Sequence, residues 1–311
     1  MDTPALSVSG LTKRYGDRLA VDHLDVELPP GVVAGFVGPN GAGKTTTMAM
    51  LLGLVRPSAG TGTVLGHSIA DPAAYLPRVG ALIESPAFYP ALTGEQNLRL
   101  LATVGSHDPD GIPALLDLAG LERRGGDRYR SYSLGMKQRL GIAAALLGDP
   151  ELLILDEPAN GLDPQGVREM RTLVGRLAGT GRTVLVSSHD LSELEQVCDW
   201  LVLIDAGRSL YQGPTSELLD AVAGGVAVVP QHPDDRATLG DVLAAGGHHV
   251  ARSGDRLVID VDGADAVEVA AAVNRAAFEA GIVLVELSPL RTTLEDRYLS
   301  LVGSETHGGS R

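Results

Sequence analysis

A glycine-rich segment between a buried strand and a helix constrains this chain more than any other feature of its sequence. The apolar run 32–37 precedes the segment, and a helical pattern follows it over 46–54. The segment fits G-x-x-x-x-G-K-[ST] and reads Gly38, Pro39, Asn40, Gly41, Ala42, Gly43, Lys44, Thr45 and Thr46. Glycines let successive backbone N–H groups point at one anion, and the dipole of the following helix favours negative charge there. The sequence therefore predicts a phosphate-binding loop.

Short apolar runs recur along the first two thirds of the chain between longer helical patterns. After the run that precedes the loop, they cover residues 79–83, 152–155, 183–187 and 201–204. Runs of this length that end in polar or glycine residues are typical of strands buried on both faces. We therefore expect an α/β fold with a mostly parallel sheet, and a ligand site at the carboxyl ends of its strands.

Two acidic residues follow the run 152–155 and extend the expected site. In the loop, Lys44 would reach the β- and γ-phosphates of a nucleotide, and the Thr45 hydroxyl would ligate Mg²⁺. Asp156 would hold the same ion through its coordinated water. Glu157 would then orient or deprotonate an attacking water. Alone, this acidic pair could equally follow any strand that leads into a capped helix.

A second candidate anion site lies just ahead of that run. Ser133 and Gly135 place a hydroxyl and bare backbone N–H groups at the start of a helical pattern that continues to about Leu147. Taken by itself, the segment would be an ordinary helix with a serine cap.

The order of these segments resembles that of the ATP-binding subunits of ABC transporters. In that family the signature motif is usually Leu-Ser-Gly-Gly-Gln, and residues 132–136 read Tyr-Ser-Leu-Gly-Met, which keeps the serine and the second glycine. Tyr15 matches the aromatic residue that stacks on adenine. Residues 160–163 resemble the D-loop, and His189 matches the switch histidine that contacts the γ-phosphate.

The resemblance implies an ATP hydrolase that uses ATP and Mg²⁺. Its fold would be a P-loop ATPase core with a helical signature subdomain, and Glu157, His189 and Lys44 would be the catalytic residues. Two chains, as a homodimer or a pair of close paralogues, would close on two ATP molecules. Ser133 and Gly135 of one chain would then complete the site on the other.

Glu84 stands where the family normally has the Q-loop glutamine. A carboxylate can bind Mg²⁺ or its water but lacks the donor of an amide, so Glu84 is a candidate for both nucleotide and metal binding. It could also simply rim the cleft. The segment 80–98 resembles the subset that includes bacitracin-resistance and lantibiotic-immunity exporters, which often carry glutamate here. An antibiotic- or peptide-type substrate follows from this resemblance by analogy alone.

The charge balance disfavours one class of partner. The chain has 25 Lys and Arg against 39 Asp and Glu, a net charge of −14. A surface that neutralises nucleic acid phosphates over a wide area needs the opposite sign, so we expect no nucleic acid partner. The single cysteine, Cys198, cannot form an internal disulfide and is expected to be a small buried apolar residue.

No stretch of the sequence reaches the ~18 consecutive apolar residues of a membrane span. We therefore expect a soluble, intracellular chain. Because the resemblance implies transport, the path would lie in a separate integral membrane permease, with this chain at the cytoplasmic face of the cell membrane. The expected docking surface includes residues 84–89, where Phe88 and Tyr89 would either face the permease or pack inward.

The remaining length predicts a second domain. We expect an ABC ATP-binding domain over 1–225, an accessory α+β domain over 226–303 and a disordered tail over 304–311. The apolar patterns of 226–287 follow the order β-α-β-β-α-β, which is the ferredoxin-like arrangement. A helix over 294–299 resembles the closing helix of exporter subunits. A regulatory or dimer-contact role for this domain is a hypothesis.

Three functions remain open at this stage. An ATPase that energises an exporter is the leading one. A soluble ABC-type ATPase acting as an assembly or translation factor is the second, although ribosome-acting members generally carry two ATPase units with a charged linker, and this chain has one unit. An importer subunit is the third.

Overall fold

The computed structural model describes residues 3–84, 86–220, 225–261, 265–290, 294–295, 297–299 and 301. The chain forms two compact units, of which the first reaches from the N-terminus to Thr215 and the second begins at Ser216. The predicted domain boundaries remain predictions. The tail 304–311 lies outside the described residues.

The elements of the first unit alternate between strands and helices after an initial hairpin. The strands are β1 (Leu6–Tyr15), β2 (Arg18–Leu28), β3 (Val33–Val37), β4 (Ala59–Val64), β5 (His67–Ser68), β6 (Val79–Leu82), β7 (Leu152–Leu155), β8 (Thr183–Ser188), β9 (Trp200–Asp205) and β10 (Arg208–Pro214). The helices are α1 (Lys44–Leu51), α2 (Gly94–Gly105), α3 (Ile112–Leu118), α4 (Leu134–Ala145), α5 (Pro164–Ala178) and α6 (Leu191–Leu194), and α7 (Thr215–Asp220) begins where the unit ends. Among the helices of the described ranges, none is long and apolar enough to cross a membrane.

A six-stranded sheet lies at the centre of the first unit, in the order β10-β9-β3-β8-β7-β6. Neighbouring strands from β9 to β6 are parallel, and the edge strand β10 runs antiparallel to β9. Every residue of β3, β7 and β8 is buried, as expected for apolar runs covered on both faces. The predicted α/β fold with a mostly parallel sheet is confirmed.

The register of this sheet brings the ends of three strands to one edge. Val37 of β3 pairs with Ser188 of β8, and Leu155 of β7 pairs with Val186 of β8. The segments that follow these strands therefore start side by side, at the edge where parallel sheets bind their ligands.

A second sheet of the first unit is antiparallel, in the order β2-β1-β4-β5. On β2, the buried residues Leu24, Val26 and Leu28 alternate with exposed polar ones, the pattern of a strand with one face on the core. Residues 16–17 join β1 to β2, so Tyr15 lies directly opposite Arg18. This sheet is absent from the sequence-based prediction, which followed continuous apolar runs.

Helices α2, α3 and α4 pack on one another through their own apolar cluster, as the predicted signature subdomain requires. The buried residues of this cluster are Leu98, Ala102, Ile112, Leu116, Ala119, Leu121, Tyr129, Tyr132, Leu140 and Ala143. Cys198 is also buried in the first unit, and burial raises the pKa of its thiol to about 12. Cys198 thus lies where a small apolar residue is needed.

The second unit is built from β11 (Gly225–Pro230), α8 (Asp235–Ala245), β12 (Val250–Ser253), β13 (Arg256–Asp260), α9 (Ala266–Glu279) and β14 (Leu284–Pro289). Its sheet has the order β12-β13-β11-β14, with all neighbours antiparallel. Val226 and Val228 of β11 pack with Leu239, Leu243 and Val273 of the helices. The predicted β-α-β-β-α-β order is confirmed. The described residues of 294–299 are helical.

Candidate functional site

A cleft of about 300 Å³ opens at the carboxyl edge of the six-stranded sheet. Its walls come from the phosphate loop, from β2 and from the segments that follow β7 and β8. The lining residues are Arg18, Ala20, Pro39, Asn40, Gly41, Gly43, Lys44, Thr45, Thr46, Glu157, Asn160 and His189. The structure therefore brings the predicted phosphate loop together with two of the predicted catalytic residues.

The backbone of the phosphate loop requires glycine at several positions. Gly41 and Gly43 have φ angles of 88° and 104°, in the region that residues with a Cβ rarely adopt. At Gly38, a Cβ would lie 2.3 Å from the carbonyl oxygen of Ile204. Helix α1 begins at Lys44, so the unpaired N–H groups of its first turn belong to the same segment. The loop therefore has the backbone freedom and the helix end that bind phosphate.

The ammonium of Lys44 is held inside the cleft by neighbouring oxygens. Lys44 is 6% exposed, and its Nζ donates a hydrogen bond of 2.6 Å to the carbonyl oxygen of Gly38. The same Nζ lies 3.2 Å from Oε1 of Glu157. A buried charge is costly unless it is paired, and the Glu157 carboxylate neutralises Lys44.

The side-chain oxygens of Thr45 and Asp156 lie side by side at the start of α1. The Thr45 hydroxyl donates to Oδ2 of Asp156 at 2.7 Å, and the Ser187 hydroxyl donates to Oδ1 at 2.6 Å. Among the described residues, no group of three or more His, Cys, Asp or Glu could hold a metal. Mg²⁺ is usually bound by one or two carboxylates together with phosphate oxygens. Thr45 and Asp156 fit Mg²⁺ bound together with a nucleotide.

Glu157 joins Lys44 to His189. Its Oε2 lies 2.7 Å from Nδ1 of His189, and its backbone N–H donates to Oγ of Ser187 at 2.9 Å. Glu157 has φ of 48°, which is uncommon for a residue with a side chain and recurs at functional sites. The carboxylate therefore contacts both a cation and a titratable ring at the position predicted for the base.

The loop that carries His189 is fixed by polar contacts on either side. The carboxylate of Asp190 accepts hydrogen bonds from the backbone and hydroxyl of Ser192, and the hydroxyl contact lowers the pKa of Asp190. Glu193 accepts a hydrogen bond from the Ser188 hydroxyl, while burial raises the pKa of Glu193 above its ordinary value. These contacts on both sides of His189 fix its loop beside Glu157.

Tyr15 and Glu84, which were predicted to bind the nucleotide or its metal, are not among the residues that line the cleft. Tyr15 is the last residue of β1, and 49% of its surface is exposed. The Lys13 ammonium lies 4.9 Å from the centre of the Tyr15 ring. Glu84 follows β6 with φ of 58° and makes no side-chain hydrogen bond or ion pair with any residue that the structure describes. Their roles toward adenine and Mg²⁺ stay predictions.

Ser133 and Gly135 also lie outside the lining of this cleft. Ser133 caps α4, where its hydroxyl accepts from the N–H of Met136. A Cβ on Gly135 would lie 3.7 Å from Leu162, so the start of α4 contacts the segment after β7. The second candidate anion site is therefore not part of the lining that the phosphate loop shares.

Sequence reasoning missed Arg18 and Ala20, which both line the cleft from β2. The hairpin could have indicated Arg18. Only two residues separate Tyr15 from β2, so Arg18 pairs with Tyr15 at the same end of the hairpin. Ala20 of the same hairpin packs against Gly43. A Cβ on Gly43 would lie 2.6 Å from the carbonyl oxygen of Ala20, so a side chain does not fit there.

Comparisons with known proteins agree with this site. Residues 21–160 match the ABC transporter family (ABC_tran), and residues 224–295 match a domain of unknown function (DUF8746). The chain is 37% identical to the bacitracin transport ATP-binding protein BcrA of Bacillus licheniformis, over 97% of this chain and 99% of that protein. It is 38% identical to the daunorubicin resistance ATP-binding protein DrrA3 of Streptomyces coeruleorubidus, over 98% of each.

A solved structure supports the fold. The ATP-binding subunit of an ABC transporter aligns with a TM-score of 0.61 and 32% identity, over 70% of this chain and 92% of that one. The predicted fold and the predicted ATP hydrolase are thereby confirmed. The chain belongs to the ATP-binding subunits of ABC transporters, which hydrolyse ATP to drive transport.

Proposed function

We propose that this chain energises the export of an antibiotic- or peptide-type substrate. The similarity to a bacitracin transport subunit and to a daunorubicin resistance subunit extends over almost the whole chain. The similarity therefore includes the second unit as well as the ATPase part of the chain. This full-length similarity is the observation that carries the proposal.

In the proposed site, ATP lies in the cleft with its phosphates on the loop. Mg²⁺ held by Thr45 and Asp156 would supply positive charge to the phosphate oxygens. Lys44 binds the β- and γ-phosphates, and His189 contacts the γ-phosphate. Glu157 accepts a proton from the water that attacks the γ-phosphorus.

The contacts of Glu157 with Lys44 and His189 support an order for these events. The Glu157 carboxylate lies 3.2 Å from Nζ of Lys44 and 2.7 Å from Nδ1 of His189. The γ-phosphate competes with Glu157 for the same two groups. Its arrival therefore frees the carboxylate to face water, and the base becomes available when the substrate is bound.

We also propose that two copies of the chain, or this chain and a close paralogue, close on two ATP molecules. Ser133 and Gly135 lie outside the cleft of their own chain, which supports a role in the cleft of a partner. The γ-phosphate charge would be shared between Lys44 of one chain and Ser133 of the other. Its loss on hydrolysis weakens the closed state and couples chemistry to movement.

The permease partner, we propose, docks in an apolar groove of the first unit at the cytoplasmic face of the cell membrane. The groove has a volume of about 420 Å³ and runs between β6, α2 and α4, with Phe88 and Leu101 in its lining. Phe88 packs inward on Tyr129, with ring centres 5.1 Å apart, while Tyr89 is 64% exposed. Val104, 76% exposed, extends the apolar surface of α2. Such a surface suits an amphipathic helix.

Leu101→Asp should separate docking from hydrolysis. We expect this change to lower the recovery of a multi-span membrane protein with the tagged chain by about tenfold, because it buries a carboxylate in the groove. The ATP hydrolysis of the isolated variant should stay within about twofold of the wild-type rate. Leu54→Asp is the matched control, because Leu54 is 68% exposed and does not line the groove.

The same purification tests the competing functions. Recovery of soluble assembly or ribosomal proteins with the wild-type chain, and of no membrane protein, would contradict the transport proposal. An importer would be distinguished by the direction of ATP-driven flux in vesicles that contain the complex.

The second unit, we propose, serves a regulatory or dimer-contact role. Its surface exposes large apolar side chains, among them Phe278 at 84% and Val285 at 64%. Removal of residues 226–311 is expected to change the ATPase rate, the dimer affinity or transport. An unchanged result in all three measurements, made by enzyme assay, sedimentation and flux, would count against the role.

A further inference from the structure

Among the residues that the structure describes, the cleft is lined by one lysine and one arginine, Lys44 and Arg18. They differ in their surroundings. Lys44 is buried and its charge is neutralised by Glu157, with Nζ and Oε1 3.2 Å apart. Lys44 therefore adds little net positive charge to the attraction that the loop N–H groups exert on a phosphate chain, and a second cation at the cleft would strengthen it.

Arg18 has the position and the freedom to supply that charge. It is the first residue of β2 and is exposed at the mouth of the cleft. A Cβ built on Gly41 of the phosphate loop would lie 3.9 Å from Nη2 of Arg18. The Arg18 guanidinium makes no hydrogen bond or ion pair with any residue of the described ranges. A planar guanidinium with five donors and no protein acceptor is suited to phosphate oxygens.

We propose that Arg18 binds the phosphate chain of the nucleotide and provides its first electrostatic contact with the cleft. The proposal deepens the proposed function, since it rests on nucleotide binding in this cleft. Arg18 contacts the phosphates from the end of β2, beside Gly41 of the loop, before Lys44 exchanges Glu157 for the γ-phosphate. A contact with the adenine ring is the alternative, because Tyr15 lies opposite Arg18 in the hairpin.

Binding of ADP and of adenosine to the full-length chain, without Mg²⁺, tests this inference. ADP needs no closed dimer and no hydrolysis, so the measurement reports the cleft of one chain. We expect Arg18→Ala to weaken ADP binding by about tenfold and to slow ADP association in stopped-flow measurements at low salt, with the difference shrinking as salt rises. Adenosine binding should not change. Arg18→Lys should restore part of the affinity, because it keeps the charge without the fork of donors.

Arg14→Ala is the matched control, because Arg14 is an exposed arginine on β1 that does not line the cleft. It should bind ADP like the wild-type chain. ADP binding that is equal in the Arg18→Ala variant and in wild type would overturn the inference while leaving the nucleotide site intact. An equal loss for ADP and adenosine would also overturn it and indicate the adenine contact. A wild-type chain that binds neither ATP nor ADP would overturn the proposed function itself.

Discussion

Glu157→Gln is expected to lower the ATP hydrolysis rate of the purified chain by about 100-fold or more, while ATP still binds. The amide keeps the size of the side chain but cannot accept the proton of the attacking water. It also removes the negative charge that pairs with Lys44, so ATP affinity should be equal or higher. The measurements are steady-state phosphate release and ATP binding at equilibrium. In the variant, ATP-bound dimers should accumulate and be visible by size-exclusion chromatography.

Glu151→Gln provides the matched control for this experiment. Glu151 lies just before β7, whereas Glu157 lies after it. The Glu151 carboxylate pairs with Arg78 at the opposite edge of the sheet. The pair is solvent-exposed, so its loss should have little effect on stability and none on hydrolysis. Equal hydrolysis rates for Glu157→Gln and wild type would contradict the assignment of Glu157 as the base.

The phosphate loop could be predicted from the sequence because its chemistry is local. Gly41 and Gly43 adopt the positive φ angles that their residue type permits. The helix expected over 46–54 is present, although it begins at Lys44 and ends at Leu51. Likewise, β7 is short and entirely buried, so the acidic residues after it had to lie at a strand end. In each case, a few consecutive residues decide the local structure and its chemistry.

The contact between Lys44 and Glu157 could not be predicted, because it depends on strand order. The two residues follow β3 and β7, which are not neighbours but lie on either side of β8. No local pattern encodes that order. The neutralisation of Lys44 by Glu157 depends on the distance between the two residues. The proposed role of Arg18 in attracting phosphate depends on that distance as well.

The antiparallel sheet could have been predicted but was not. Leu24, Val26 and Leu28 alternate with polar residues, which is the pattern of a half-buried strand. A prediction that relies on continuous apolar runs misses such strands. The same alternation occurs in the second unit, where Leu257 and Ile259 are buried within β13, and there the order β-α-β-β-α-β was predicted.

Asp156→Asn is the second change with a large expected effect. Asp156 is 4% exposed, and both of its carboxylate oxygens accept hydroxyl hydrogen bonds, from Thr45 and Ser187. An asparagine has the same shape, and the hydroxyls can rotate to accept from its amide, so we expect the fold to remain. ATP hydrolysis should fall by about 100-fold or more, because the negative charge that would hold Mg²⁺ is gone.

A binding measurement distinguishes this effect from a general loss of activity. We expect wild type to bind ATP more tightly with Mg²⁺ than with a chelator, and Asp156→Asn to bind equally in both conditions. Asp149→Asn makes the same chemical change in the exposed residue that pairs with Arg182 at the opposite edge of the sheet, and it should behave like wild type. If Asp156→Asn retained the Mg²⁺-dependent gain in affinity, Asp156 would not be the ligand. Glu84, which follows the neighbouring strand β6 and has no side-chain partner among the described residues, would then be the carboxylate to test.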